Sequence, residues 1–103
     1  MNLLHSLPSD RSKEVTEVLV ESGSARVERI VSHGQASPAG FWYNQSEREW
    51  VMVLAGEARM RFEDKVVDLK SGDSIDIPPK VKHRVDSTSA TEPTIWLAVF
   101  FSS

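Results

Sequence analysis

Two residues in this chain carry side chains that can move a proton near neutral pH or hold a cation, and each stands at the head of a strand-like run. Glu49 precedes Trp50-Val51-Met52-Val53-Leu54, and His83 precedes Arg84-Val85. A carboxylate beside an imidazole is a general acid/base pair. The same two groups are ligands for a divalent cation. Tyr43 and Gln45 lie just upstream of Glu49 and share its odd numbering, and alternate residues of an extended chain share a face. If His83 meets that face, the side chains of Tyr43, Gln45, Glu49 and His83 share one cavity. The competing expectation is that the same four groups form a hydrogen-bonded network in a polar cavity with no metal. Trp42 and Tyr43 stand where a rim would be and supply aromatic surface for a planar or sugar-like ligand, although Trp42 would equally serve as a plug.

The elements that must position these groups read as strands. Glu14–Glu21 is rich in β-branched residues and ends at Ser22-Gly23-Ser24, and Ala25–Ser32 alternates with a slip that suggests a bulge. Glu49–Leu54 is apolar on both parities after Glu49, as is Thr94–Phe101, so both runs need cover on two faces. Ala58, Met60 and Phe62 alternate with Arg59, Arg61 and Glu63, which describes a strand with one wet face. Glu63-Asp64-Lys65 and Lys70-Ser71-Gly72-Asp73 are turns, Ile75 and Ile77 point inward, and Pro78-Pro79 ends that strand because neither can donate to a ladder. Trp50 should face away from Glu49, Trp96 should be core, Arg84 should lie outside the cavity, and His5 and His33 should be solvated. No segment supports a helix. Many short strands joined by Gly, Pro and Ser turns indicate a sandwich or small barrel.

Composition bounds what such a domain can do. With 103 residues the chain is expected to be one domain, 1–103, with 1–13 a loosely structured N-terminal arm. There are no cysteines, which removes thiolate nucleophiles, disulfides and zinc-thiolate sites. Twelve basic and fifteen acidic residues give a net charge of −3 without a cationic run, so nucleic acid is not an expected partner. No apolar run approaches the roughly 18 residues of a membrane span, and no secretory leader is evident, so a cytoplasmic protein with no membrane partner is expected. No nucleophile elbow or phosphate cradle is present.

The spacing around these residues resembles the cupins, a family of small jelly rolls. Glu49 stands six residues before Gly56, as at the end of the family's first motif. Gly72, then Pro78 after five residues, then His83, follows the second motif, with Lys80 where Gly is usual and Ser87 where Asn is usual. More narrowly, Gly34-Gln35, Ser37-Pro38, Trp42-Tyr43, Glu49-Trp50-Val51, Ile77-Pro78-Pro79 and Trp96-Leu97-Ala98 resemble small single-domain bacterial cupins. The resemblance implies an all-β fold, a double-stranded β-helix or jelly-roll cupin barrel, over residues 25–101. It also implies a site. Metal-binding cupins carry two histidines shortly before the glutamate and a third in the second motif, a three-histidine, one-glutamate site. This chain has Tyr43 and Gln45 at the first two positions in one register and Trp42 and Asn44 in the other, and the resemblance implies Gln45, Glu49 and His83, with Tyr43 as fourth ligand or hydrogen-bonding neighbour, as ligands of zinc, manganese or iron.

Two functions follow as expectations. One is a divalent-metal-dependent enzyme of the dioxygenase, isomerase or lyase class acting on a small oxygen-rich molecule, with Glu49 and His83 at the chemistry. The other is a non-catalytic cupin that binds a small molecule or sugar without metal. A homodimer through the outer faces of Trp50–Leu54 or Thr94–Phe101 is expected from their double apolar character.

Overall fold

The computed structural model describes residues 1–102, and among these it places eight strands and no helix. They are β1 (Val15–Ser22), β2 (Ala25–Ser32), β3 (Arg48–Ala55), β4 (Glu57–Phe62), β5 (Val66–Lys70), β6 (Ser74–Ile77), β7 (His83–Thr88) and β8 (Thr94–Phe101). A large sheet in the order β1-β2-β8-β3-β6 faces a small one in the order β5-β4-β7. All pairings are antiparallel. This is the expected all-β jelly roll.

Register decides which side chains look inward. Glu49 lies opposite Phe100 and Ile77, and Val51 opposite Ala98 and Ile75. These odd positions of β3 and even positions of β8 meet Ala58, Met60 and Phe62 of β4 in one core with Val53, Leu69, Ile77 and Trp96. Val53 and Ala98 are fully buried. Burying side chains of this size stabilises by about 1.5–3 kcal/mol each for the larger ones, which holds the two sheets together. The opposite parity of β3 and β8, comprising Trp50, Met52, Leu54, Leu97, Val99 and Phe101, lies on the outer face and stays half-buried.

Two details differ from the sequence expectation. The bulge falls in β1, between Val18 and Val20, and not in β2. The inward parity of β2 is also the reverse of what Ala25 and Val27 suggest. Glu28 and Ile30 look into the barrel, while Arg29 faces outward opposite Glu17 and Leu97. The reversal is possible because the outer face of β2 is itself covered. Arg29 is 1% exposed and its guanidinium donates to Glu17 Oε1 at 2.6 and 2.8 Å and to the carbonyls of Leu3, His5 and Ser6 at 2.9–3.2 Å. The arm has no regular secondary structure, yet this one side chain fastens it to the sheet.

The motif glycines have local reasons. Gly56 turns the chain from β3 to β4 at φ +81°, and a Cβ there would meet Thr94 Oγ1 at 2.6 Å and the Pro93 carbonyl at 2.7 Å. Position 80, where the family pattern has glycine, keeps the left-handed backbone with a lysine, at φ +63°.

Candidate functional site

The double proline after β6 stops that ladder, and the chain then turns through Lys80 into β7. This turn builds the site. The Lys80 amide donates to the Gln45 carbonyl at 2.8 Å, and Tyr43 and His83 exchange both backbone hydrogen bonds at 2.7 and 3.1 Å. The irregular segment before β3 is thereby pinned beside the start of β7. Glu49 arrives from β3, on the inner parity.

The four side chains named from sequence converge. His83 Nε2 lies 3.5 Å from Glu49 Oε1, and Gln45 Nε2 donates to the same oxygen at 3.1 Å. His83 Nδ1 donates to the Val81 carbonyl at 2.8 Å, which directs Nε2 at the carboxylate. The Tyr43 ring stacks on the imidazole with centroids 5.5 Å apart and planes inclined by 22°, and Phe41 meets Tyr43 edge-on at 4.8 Å. Glu49 and His83 are 8% and 3% exposed, so neither charge is screened as a surface pair would be.

Burial alone would lower the His83 pKa. The Glu49 carboxylate and the Val81 carbonyl outweigh it, and the imidazole is held above its ordinary value. Burial, reinforced by Glu14 and Glu49, raises the Tyr43 phenol, which therefore stays neutral.

These residues line a cavity of about 160 Å³ between the sheets. Its remaining wall is Glu14 and Thr16 at the start of the first hairpin, Glu28 and Ile30 of β2, and Val51, Met60, Val85, Trp96 and Phe100. Of the two aromatic residues expected at the rim, Tyr43 lines the cavity and Trp42 does not. Trp96 is core, as expected, and is also cavity wall. Arg84 points away and binds Asp86 and the carbonyls of Ser37, Pro38 and Phe41. His33 lies elsewhere, beside Arg11 and the Ser89–Pro93 loop. Glu14, Thr16 and Glu28 were not singled out from sequence. Their only sequence signal is the even numbering they share along one hairpin, and the apolar outer face of β2 masks it.

The donor set does not fit the three-histidine, one-glutamate metal site. Among the described residues no three His, Cys, Asp or Glu side chains cluster to hold a metal. Gln45 presents its NH₂ and not its oxygen to the centre, and Tyr43 is a neutral phenol stacked on the imidazole. What remains are two strong donors already directed at each other.

A family model described as "Cupin domain" matches residues 27–100. A crystal structure from Ralstonia eutropha JMP134, named "putative mannose-6-phosphate isomerase", superposes with a TM-score of 0.96 and is 39% identical, covering 100% of this chain and 97% of that one. A cupin superfamily protein from Desulfitobacterium hafniense DCB-2 (TM-score 0.78, 15% identity, 94% and 84% coverage) shares the fold. So does a cupin 2 conserved barrel domain protein from Leptotrichia buccalis (0.80, 21%, 99% and 47%). No curated protein matches the chain. Among the described residues no helix is long and apolar enough to cross a membrane.

Proposed function

Because the chain belongs to the cupin domain family, we propose that it works on a small molecule in the barrel cavity by proton transfer between carbon or oxygen atoms of the ligand and the Glu49–His83 pair. No resident transition metal is required. The observation that carries this reading is the 3.5 Å approach of His83 Nε2 to Glu49 Oε1 on a buried cavity wall.

Each residue of the pair has a distinct task. His83 is anchored at Nδ1 by the Val81 carbonyl, so its proton is exchanged at Nε2, the atom that faces both Glu49 and the cavity. Glu49 stabilises the imidazolium when Nε2 takes up a proton, and its other oxygen is left to accept from the ligand. Gln45 orients the carboxylate. Tyr43 stacks on the imidazole and limits its rotation. A proton taken from one ligand atom and returned to a neighbouring one is an isomerisation or epimerisation; returned with loss of a leaving group, it is a lyase step. Positioned acid/base groups of this kind contribute about 10²–10⁴-fold in rate.

The name of the Ralstonia neighbour is consistent with this class of chemistry. Gln45 favours a second reading. Its amide occupies a lone pair of Glu49 and weakens that oxygen as a base, which suits a module that binds without turnover.

The test is deuterium wash-in. Small hydroxy- and oxo-compounds are incubated with the protein in D₂O and their C–H signals followed by NMR. Exchange that Glu49→Gln and His83→Ala each reduce by about 10²-fold or more supports proton transfer. Ligands that bind without exchanging establish the binding module instead.

A further inference from the structure

The wall of the cavity is electrically one-sided. Three carboxylates, Glu14, Glu28 and Glu49, line it against a single imidazole, and no Lys or Arg contributes to the lining. Arg26, on the same face of β2 as Glu28, is already committed: its guanidinium binds Glu47 at 2.5 Å and Glu28 at 2.7 Å and lies 4.3 Å over the Phe100 ring. Arg29 and Arg84 face outward and are bound there. An anionic ligand would find only the His83 imidazole, already paired with Glu49, to replace its lost hydration.

Glu14 differs from the other two carboxylates. It takes part in no ion pair among the described residues, yet it is aimed. Ser32 Oγ donates to Glu14 Oε2 at 2.8 Å, and Trp96 Nε1 donates to Ser32 Oγ at 3.1 Å. Ser32 is fully buried and Trp96 is 4% exposed, so a buried relay fixes the exposed Glu14 carboxylate, which has no ion-pair partner among the described residues, at the cavity edge. Its field reaches the Tyr43 phenol.

We infer that Glu14 makes the cavity selective for a small molecule bearing a positively charged amine and excludes ligands bearing phosphate or carboxylate. This rests on the reading of the cavity as the functional site, whose buried Glu49 and His83 supply the rest of the contact. A concave surface of one charge raises the local concentration of the opposite charge, and a like charge placed there is a repulsive element that sharpens selection. The cavity, about 160 Å³, is about half the roughly 300 Å³ at which drug-sized pockets begin, so the ligand is a molecule of few carbons. Mannose 6-phosphate, the compound in the Ralstonia neighbour's name, carries a phosphate for which this wall has no cation.

The test uses a matched four-carbon series, butane-1,4-diamine, butane-1,4-diol and succinate, together with mannose 6-phosphate. Binding is read from the His83 ring signals by NMR in the wild type, Glu14→Gln and Glu49→Gln. The diamine should bind about tenfold or more tightly than the diol, with no response to either anion. Glu14→Gln, which keeps an acceptor for Ser32, should cost the diamine about tenfold and leave the diol unchanged. Succinate or mannose 6-phosphate binding as well as the diamine overturns the selection, as does a diamine affinity indifferent to Glu14→Gln or no diamine response at millimolar concentration. Anion binding lost in Glu49→Gln but kept in Glu14→Gln overturns the selection while leaving the Glu49–His83 reading intact. Selective diamine binding with no deuterium wash-in into any of the hydroxy- and oxo-compounds does the reverse.

Discussion

His83 meets Glu49 inside the barrel at 3.5 Å, Nε2 to Oε1, although the two belong to different sheets. The contact therefore reports on the closure of the two sheets over each other as well as on the chemistry of the cavity.

That link gives a pH dependence. The folded state holds the His83 pKa above its ordinary value, so the imidazolium contributes stability in full below about pH 6.5, the unfolded value. The contribution is lost as pH rises through the raised folded pKa. Urea midpoints of the wild type should fall across that window, and Glu49→Gln should flatten the fall by removing the group that raises the pKa. A midpoint that rises from pH 6 to pH 8 would show that burial wins.

The donor set bears on metal content. Protein purified without a chelating tag should carry no stoichiometric zinc, manganese or iron by elemental analysis. Gln45→His replaces an inward NH₂ with a third strong donor beside Glu49 and His83, and zinc affinity should rise about tenfold or more. Stoichiometric metal in the wild type that both Glu49→Gln and His83→Ala lose would overturn the metal-free reading.

Two turn positions test the backbone. Gly56→Ala forces a Cβ against the Pro93–Thr94 backbone at a positive φ and should destabilise by about 2 kcal/mol or more. Lys80→Gly relieves a left-handed residue in the turn that holds Gln45, and should stabilise by about 0.5–1 kcal/mol, or roughly 2–8 °C in Tm. Calorimetry reads both, and a lowered Tm for Lys80→Gly would mean that the side chain itself is needed.

The homodimer expected from the doubly apolar strands would use the half-buried outer face of Trp50, Met52, Leu97 and Val99, since each strand is already covered on its inner side. Light scattering should give twice the mass of one 11.5 kDa chain, and Val99→Lys should shift it to the monomer. A wild-type mass of one chain would remove the dimer.

Much of this molecule is legible in local pattern. Alternation at Ala58, Met60 and Phe62, the punctuation at Gly56, Gly72 and Pro78-Pro79, and the odd parity of Tyr43, Gln45 and Glu49 each depend on neighbours a few residues away, and the structure keeps all of them. The inward turn of Glu28, the outward turn of Arg29 and the place of Glu14 on the cavity wall could not be read in the same way. Parity says that two faces of a strand differ, but not which one is covered by what. For β2 that was settled by a distant arm binding Arg29 and by the bulge in β1. Sequence by itself determined the barrel and the two side chains that can move a proton; tertiary structure decided that they meet and what charge the wall around them carries, because that wall is assembled from strands whose pairing is non-local.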